Sequence, residues 1–220
     1  HRPRMLPKLD FKGEIPEKHS TFVVIPTLLP SVDRVEELFK NLEVYYLSNR
    51  EENIYFGIVG DFKDGDSEVI ESDEEILNKG IEMAQKLNDK YGKGKEIFYY
   101  LHRKRIHSKT QDKWMGWERK RGALVELNEI LLGGKNTSFN TISGDITKIQ
   151  GKISYVLTLD ADTKLPIDGA KKLIGTIAHP LNRAVVDEER NRVIEGYGII
   201  QPRMLIDIES SNKSLFTRIF

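Results

Sequence analysis

The 220-residue sequence contains no cysteine, no excess of either charge and no long apolar run. The absence of cysteine excludes a disulfide framework, a thiolate metal site and a cysteine nucleophile. Lysine plus arginine and aspartate plus glutamate both number 34, so no net field points to a nucleic-acid partner or an anionic membrane. No apolar stretch approaches the ~20 residues of a membrane-spanning helix, and residues 1–4 (HRPR) do not read as a signal peptide.

The length and the ends of the sequence predict how the chain is organised. A chain of 220 residues is long enough to bury one large hydrophobic core. Residues 1–20 contain prolines and predict an irregular lead-in, whereas residues 21–220 are predicted to form a single domain. Residues 214–220 (SLFTRIF) are an apolar segment with nothing after it. We therefore expect a soluble piece of a longer protein, truncated on its C-terminal side.

Hydrophobic patterns predict strands that alternate with helices. The predicted strands cover residues 21–25, 54–59, 96–101, 153–159 and 193–201. The predicted helices begin at a Ser31 cap, at a capping box of Ser72 and Glu75, near Trp114 and after Pro166. Residues 102–113 are predicted to be a basic, polar connection, and residues 134–151 a loop. This order predicts an α/β fold in which helices cover both faces of a mostly parallel sheet.

Two aspartates directly follow the strand predicted at residues 153–159. This nearly continuous apolar run is typical of a strand buried on both faces, and hence central in a parallel sheet. Alternation along the strand would place Asp160 and Asp162 on the same side of its carboxyl end, where open α/β sheets bind ligands. Such a pair suits a divalent cation whose other ligands are phosphate oxygens. A polar loop with solvated aspartates is an equally open interpretation.

Two further strands end in polar residues, at Pro26-Thr27 and at Asp61. Right-handed crossovers would place these ends along one edge of the sheet, together with Asp160 and Asp162. We expect this edge to hold a nucleotide, with Asp61 accepting a hydrogen bond from a base or ribose donor. The alternative is that Asp61 is a turn residue.

The sequence Lys120-Arg121-Gly122 lies inside a predicted helix, where glycine costs about 1 kcal/mol relative to alanine. A close approach by a ligand phosphate, with Lys120 or Arg121 as the cation, would explain the glycine. An exposed basic turn, or a packing reason, remains the alternative. Trp114 and Trp117 also have two open interpretations: they pack within the protein, or they stack on a sugar or a base.

Several motifs together resemble the processive, inverting glycosyltransferases of the GT-A fold, and more closely the glucosyltransferase region of the cyclic β-1,2-glucan synthases. The motifs are residues 9–11 (LDF), 42–47 (LEVYYL), 114–122 (WMGWERKRG), 159–163 (LDADT), 178–183 (AHPLNR) and 196–203 (GYGIIQPR). They span nearly the whole chain. The segment between His102 and Trp114 follows the family pattern only loosely.

The resemblance implies UDP-glucose as the donor, a Mg²⁺ or Mn²⁺ ion, and a growing β-1,2-linked glucan as the acceptor. Carried over by position, Asp162 would bind the metal, and Asp160 would contribute through metal or ribose contacts. Thr27 and Asp61 would line the uridine pocket. The family also implies that the chain is part of a larger membrane-bound synthase at the cytoplasmic face of the bacterial inner membrane.

By the same resemblance, Lys120 or Arg121 would lie near the uracil or the diphosphate, and Gln201 and Arg203 would approach the acceptor. An acceptor hydroxyl would attack the anomeric carbon in line, with inversion, and attack requires a base to take the hydroxyl proton. In the family this carboxylate lies in a later motif. We therefore expect it beyond Phe220, and we expect the isolated chain to be inactive.

Two alternatives remain open. The first is a catalytically inert nucleotide- or glucan-binding module. The second is a phosphohydrolase similar to the haloacid dehalogenases, with Asp160 as nucleophile. That signature calls for threonine or valine where this chain has Lys164, and it stands at the start of a chain rather than late in it.

Overall fold

The computed structural model describes residues 5–202. The helices are α1 (Val32–Ser48), α2 (Asp73–Tyr91), α3 (Arg119–Leu131) and α4 (Gly169–Ile177). The strands are β1 (Thr21–Leu28), β2 (Ile54–Asp61), β3 (Phe98–Arg103), β4 (Ile106–Ser108), β5 (Lys113–Met115), β6 (Phe139–Ser143), β7 (Tyr155–Thr158), β8 (Val185–Asp187) and β9 (Arg192–Glu195). None of the helices within this described range combines the length and apolarity needed to cross a bilayer.

The main sheet has five strands in the order β6-β3-β2-β1-β7. The four strands β7, β1, β2 and β3 are parallel, and β6 is antiparallel to β3. Side chains of β1 alternate between two apolar clusters: Val23 and Ile25 join the cluster of α1, α2 and α4, whereas Phe22 and Val24 join that of α3. The predicted α/β fold, with a mostly parallel sheet covered on both faces, is confirmed.

Helices α1 and α2 both begin directly after the predicted cap residues, Ser31 and Ser72, but the predicted capping box of α2 is wrong. The Ser31 hydroxyl accepts a hydrogen bond from the Arg34 amide at 3.4 Å. Ser72 adopts helical backbone angles, and its side chain makes no capping bond. A capping hydroxyl needs an extended backbone, so the predicted Ser72 capping box does not form. The Asp73 carboxylate instead accepts from the Ile70 amide at 2.9 Å.

Strand β7 was predicted to be central, and within residues 5–202 this is wrong. It has four residues, pairs only with β1 among the described strands, and is only partly buried. The central strands are β1 and β2, and all eight residues of β2 are buried. Tyr155 and Leu157 contact one apolar cluster and Val156 the other. The apolar run of β7 therefore indicates that helices cover both of its faces. It does not indicate that β7 has a strand on each side.

The segment between β3 and α3 also differs from the prediction. Its residues extend β3 to Arg103 and then form an antiparallel hairpin of β4 and β5, rather than a polar connection. The hairpin is joined to the loop after β2, because the Gly65 and Trp114 backbones exchange hydrogen bonds of 2.9 Å. Helix α3 consequently begins at Arg119 and not near Trp114. The predicted loop at residues 134–151 contains β6, a short irregular strand at the other edge of the sheet.

Contacts divide the described residues into two compact units, residues 11–174 and residues 5–10 with 175–202. The main sheet and the β4–β5 hairpin belong to the first unit. The second contains the β8–β9 hairpin. Within this unit the Asn182 amide group donates to the Pro7 and Thr176 carbonyl oxygens. The late strand predicted at residues 193–201 is confined to Arg192–Glu195.

Candidate functional site

Three strands bring polar residues to one edge of the main sheet. Because β2, β1 and β7 are adjacent and parallel, their carboxyl ends lie side by side. Thr27 is paired in register with Gly60, and Leu28 with Asp61. On the other side of β1, the Leu159 amide donates to the Val24 carbonyl oxygen at 2.9 Å. This places the segment after β7 beside the end of β1.

Asp160 and Asp162 lie in a turn rather than on the strand itself. Strand β7 ends at Thr158, so strand alternation does not extend to the pair. The turn is closed by the Thr163 amide, which donates to the Asp160 carbonyl oxygen at 2.9 Å. The Tyr45 hydroxyl donates to the Thr163 carbonyl oxygen at 2.6 Å and ties the turn to α1. Both aspartates are exposed, and their carboxylates are accessible to a ligand.

The structure brings Lys120 to the aspartate turn. The Lys120 ammonium donates to the Asp160 carboxylate, across 40 residues of sequence. Arg121 instead pairs with Glu118 at 2.6 Å on the exposed surface of the same helix start. Of the two cations that the sequence left open, Lys120 is therefore the one in contact with the acidic pair.

Gly122 has a packing reason. A Cβ at this position would lie 2.0 Å from the Trp117 carbonyl oxygen and 2.8 Å from the indole ring. Only a residue without a side chain allows the chain before α3 to fold this closely over the helix. Gly122 thereby permits the course of residues 117–121, which place Lys120 beside Asp160.

Asp61 is held in a buried ion pair. Its two carboxylate oxygens accept from Arg103 Nε at 2.8 Å and from Arg103 Nη2 at 2.7 Å. Burial raises the pKa of Asp61, and the hydrogen bonds from Arg103 oppose that shift. A direct contact between this carboxylate and a nucleotide would require the pair to rearrange. The assignment of Asp61 to a uridine pocket stays a prediction.

Arg103 was not identified from the sequence. It is only 1% exposed, and it also donates to the Trp117 and Arg119 carbonyl oxygens, both at 2.9 Å. These bonds hold Glu118 and Arg119, whose φ angles of 50° and 49° are left-handed. Arg103 lies within a run of basic residues, which is typical of an exposed segment, so the sequence did not indicate its burial. Its spacing of two from the apolar Leu101 was the available signal in the sequence, and the structure shows that it pairs in register with Asp61.

His102 is a second buried residue that the sequence did not identify. Its Nδ1 atom lies 2.9 Å from the Arg103 carbonyl oxygen, which can only accept, so Nδ1 carries the proton. Nε2 is buried and has no partner among residues 5–202. Burial lowers the pKa of His102 to about 3. The imidazole is therefore neutral at physiological pH.

The residues predicted on the acceptor side are Gln201 and Arg203. Gln201 is exposed and irregular, and it belongs to the second compact unit. Arg203 lies outside the described residues. Both assignments stay predictions.

The acidic pair fits a divalent metal as a partial ligand set. Residues 5–202 contain no cluster of three or more histidine or carboxylate side chains that could hold a metal ion by themselves. Magnesium, however, commonly binds through one or two carboxylates together with substrate phosphates and water. The exposed hard oxygens of Asp160 and Asp162 match that chemistry.

No protein-family model matches this chain. It is 41% identical over 221 aligned positions to a protein of Rhizobium meliloti (strain 1021) named cyclic β-(1,2)-glucan synthase NdvB. The match covers 100% of this chain and 8% of that protein, so the chain spans a small part of the relative's length. The predicted resemblance is thus confirmed, and along its whole length the chain is similar to one region of a cyclic β-(1,2)-glucan synthase.

Proposed function

We propose that this chain binds the sugar donor for β-1,2-glucan synthesis. The donor is UDP-glucose, and the reaction is inverting transfer of glucose to the end of a growing β-1,2-linked glucan. The observation that carries the proposal is that the whole chain is similar to one region of a protein named as a cyclic β-(1,2)-glucan synthase. The exposed Asp160–Asp162 turn at the carboxyl edge of an α/β sheet supports it, because such edges bind ligands.

In this proposal Asp160 and Asp162 hold a Mg²⁺ or Mn²⁺ ion. When bound, the ion would stabilise the negative charge that develops on the departing diphosphate. The Lys120 ammonium already contacts Asp160, so a diphosphate placed against the acidic pair comes within its reach. Lys120 would then donate to a phosphate oxygen as a second positive charge.

Thr27 and Asp61 are proposed to line the uridine pocket, and Gln201 and Arg203 to face the acceptor. The base that takes the acceptor proton is proposed to lie in another part of a larger membrane-bound synthase, with this region on the cytoplasmic side. The isolated 220-residue chain would accordingly bind the donor without turning it over.

Asp162→Asn is expected to weaken metal-dependent binding of UDP by at least about tenfold, because an amide is a poorer ligand for a hard cation than a carboxylate. The measurement is calorimetric titration of the purified chain with UDP, UDP-glucose and GDP-mannose, each with and without Mn²⁺. Tighter binding of UDP-glucose than of GDP-mannose is the expected order.

Asp89→Asn is the matched control, since Asp89 is an exposed carboxylate near the end of α2. It should leave UDP affinity unchanged. Equal UDP affinity with and without Mn²⁺, or no loss in Asp162→Asn, would refute the metal site. Glucose transfer by the isolated chain would refute the proposed location of the base.

A further inference from the structure

A groove of about 450 Å³ lies between the β4–β5 hairpin and the start of α3. This volume is within the range of small-molecule sites, roughly 300–1,000 Å³. Its apolar lining comes from Ile106, Met115 and Trp117. Trp117 is 46% exposed and Ile106 is 40% exposed, so the groove presents an aromatic ring and an aliphatic side chain to solvent.

The rest of the lining offers hydroxyl and amide groups. Ser108, Thr110 and Gln111 lie along the hairpin side of the groove. The Ser108 and Thr110 hydroxyl oxygens are 3.2 Å apart and can each donate and accept. The Gln111 amide adds one acceptor and two donors. A ligand in this groove therefore meets an aromatic ring together with neutral hydrogen-bonding groups of both kinds.

The charged groups in the lining are already paired. Glu118 accepts from Arg121 at 2.6 Å, and Arg119 pairs with Asp64 at 2.8 Å. His107 Nε2 lies 3.3 Å from an Asp112 carboxylate oxygen. An anionic ligand would have to compete with the Asp64 carboxylate for the Arg119 guanidinium. The groove is thus suited to a neutral ligand rather than to a phosphate.

The backbone of the groove wall formed by Trp117, Glu118 and Arg119 is held in place by buried contacts. Arg103 binds the carbonyl oxygens of Trp117 and Arg119, and Gly122 allows close approach to the backbone of Trp117. Two successive left-handed residues occur there, a conformation that persists only when surrounding contacts hold it. The wall is therefore largely preformed, which reduces the entropy cost of binding.

We propose that this groove binds a neutral saccharide, with a sugar ring stacked on Trp117. Sugar rings have an apolar face of C–H groups for the indole and a rim of hydroxyls for Ser108, Thr110 and Gln111. The saccharide class follows from the groove itself, whereas its identification as a segment of β-1,2-linked glucan rests on the proposed function.

The test is an NMR titration of the 220-residue chain with a linear hexasaccharide of β-1,2-linked glucose. The chain has two tryptophans, so two indole N–H signals report on binding. We expect a saturable shift of the Trp117 signal. Trp117→Ala should weaken binding by about tenfold or more, since loss of an aromatic anchor has effects of that order. Gln111→Ala, at an exposed position, should weaken it less, by about threefold.

Trp114→Phe is the matched control, because Trp114 lies on the same hairpin but does not line the groove. It should keep wild-type affinity and also assign the two indole signals. The proposal is overturned if the hexasaccharide gives no saturable shift, if Trp117→Ala binds as wild type, or if pyrophosphate produces the same shift. Should Trp117→Ala fail to fold, wild-type affinity in Gln111→Ala overturns it.

The two proposals fail independently. Asp162→Asn should keep hexasaccharide affinity while losing UDP affinity. Saccharide binding without metal-dependent UDP binding would refute the donor site alone, and the reverse result would refute the groove alone.

Discussion

Replacing Arg103 with methionine is expected to lower the free energy of unfolding by about 3–5 kcal/mol, the range seen when one partner of a buried ion pair is removed. Asp61 would lose both of its guanidinium hydrogen bonds while only 5% exposed. Glu126, 3.6 Å from Arg103, would lose the same countercharge. The Trp117 and Arg119 carbonyl oxygens would lose a donor as well. Urea unfolding, followed by circular dichroism, measures the difference.

Arg119→Met is the control for this substitution. Its pair with Asp64 has nearly the same length, 2.8 Å against 2.7 Å for Arg103 and Asp61, but the Arg119 side chain is 50% exposed. A solvent-exposed pair contributes about 0–1 kcal/mol, so this variant should be close to wild type. Similar losses in the two variants would show that burial does not determine the importance of Arg103.

Acidification should destabilise the wild-type chain more than a His102→Phe variant. The pKa of His102 is lowered by burial to about 3, from an ordinary value of 6.5. The unfolded chain therefore takes up a proton at higher pH than the folded chain does. The contribution of neutral, buried His102 to the free energy of unfolding is complete above the ordinary pKa. It is lost as the pH falls from 6.5 towards 3. Between about pH 6.5 and about pH 4.5 the extra loss is expected to be about 2 kcal/mol.

The difference between the two unfolding curves isolates His102, because carboxylates that titrate in the same range are common to both proteins. His107→Phe is the control, since the His107 side chain is 39% exposed, whereas His102 is buried. It should keep the wild-type pH dependence. An unchanged pH dependence in His102→Phe would contradict a buried, neutral imidazole.

Strands β1, β2 and β3 and helix α1 were predictable because local patterns determine them. Apolar residues at strand and helix spacing follow Thr21 and Ser31, and burial there agrees with the pattern. The position of β7 was not predictable in the same way. Apolar side chains report which faces of a strand are covered, whereas strand order depends on partners distant in sequence. The Ser72 cap failed because hydroxyl position alone does not determine backbone angles.

The placement of Asp61, Asp160 and Asp162 at or just after the carboxyl ends of strands was predictable from the sequence. The contacts among the residues of the candidate site were not. The pairing of Lys120 with Asp160 depends on a helix start that begins five residues later than predicted, at Arg119. Arg103 lies within the sequence His102-Arg103-Lys104-Arg105, which has the composition of an exposed basic segment. Its burial depends on the neighbouring strand, which supplies Asp61 in register.

Arg103 binds oxygen atoms of the main chain at residues 117 and 119, not their side chains. A guanidinium that recognises carbonyl groups is indifferent to which amino acids carry them. Side chains at positions 117 and 119 can therefore be exchanged while these two hydrogen bonds are retained. Divergence of ligand preference at these positions, in nature or in the laboratory, need not compromise the stability of the fold.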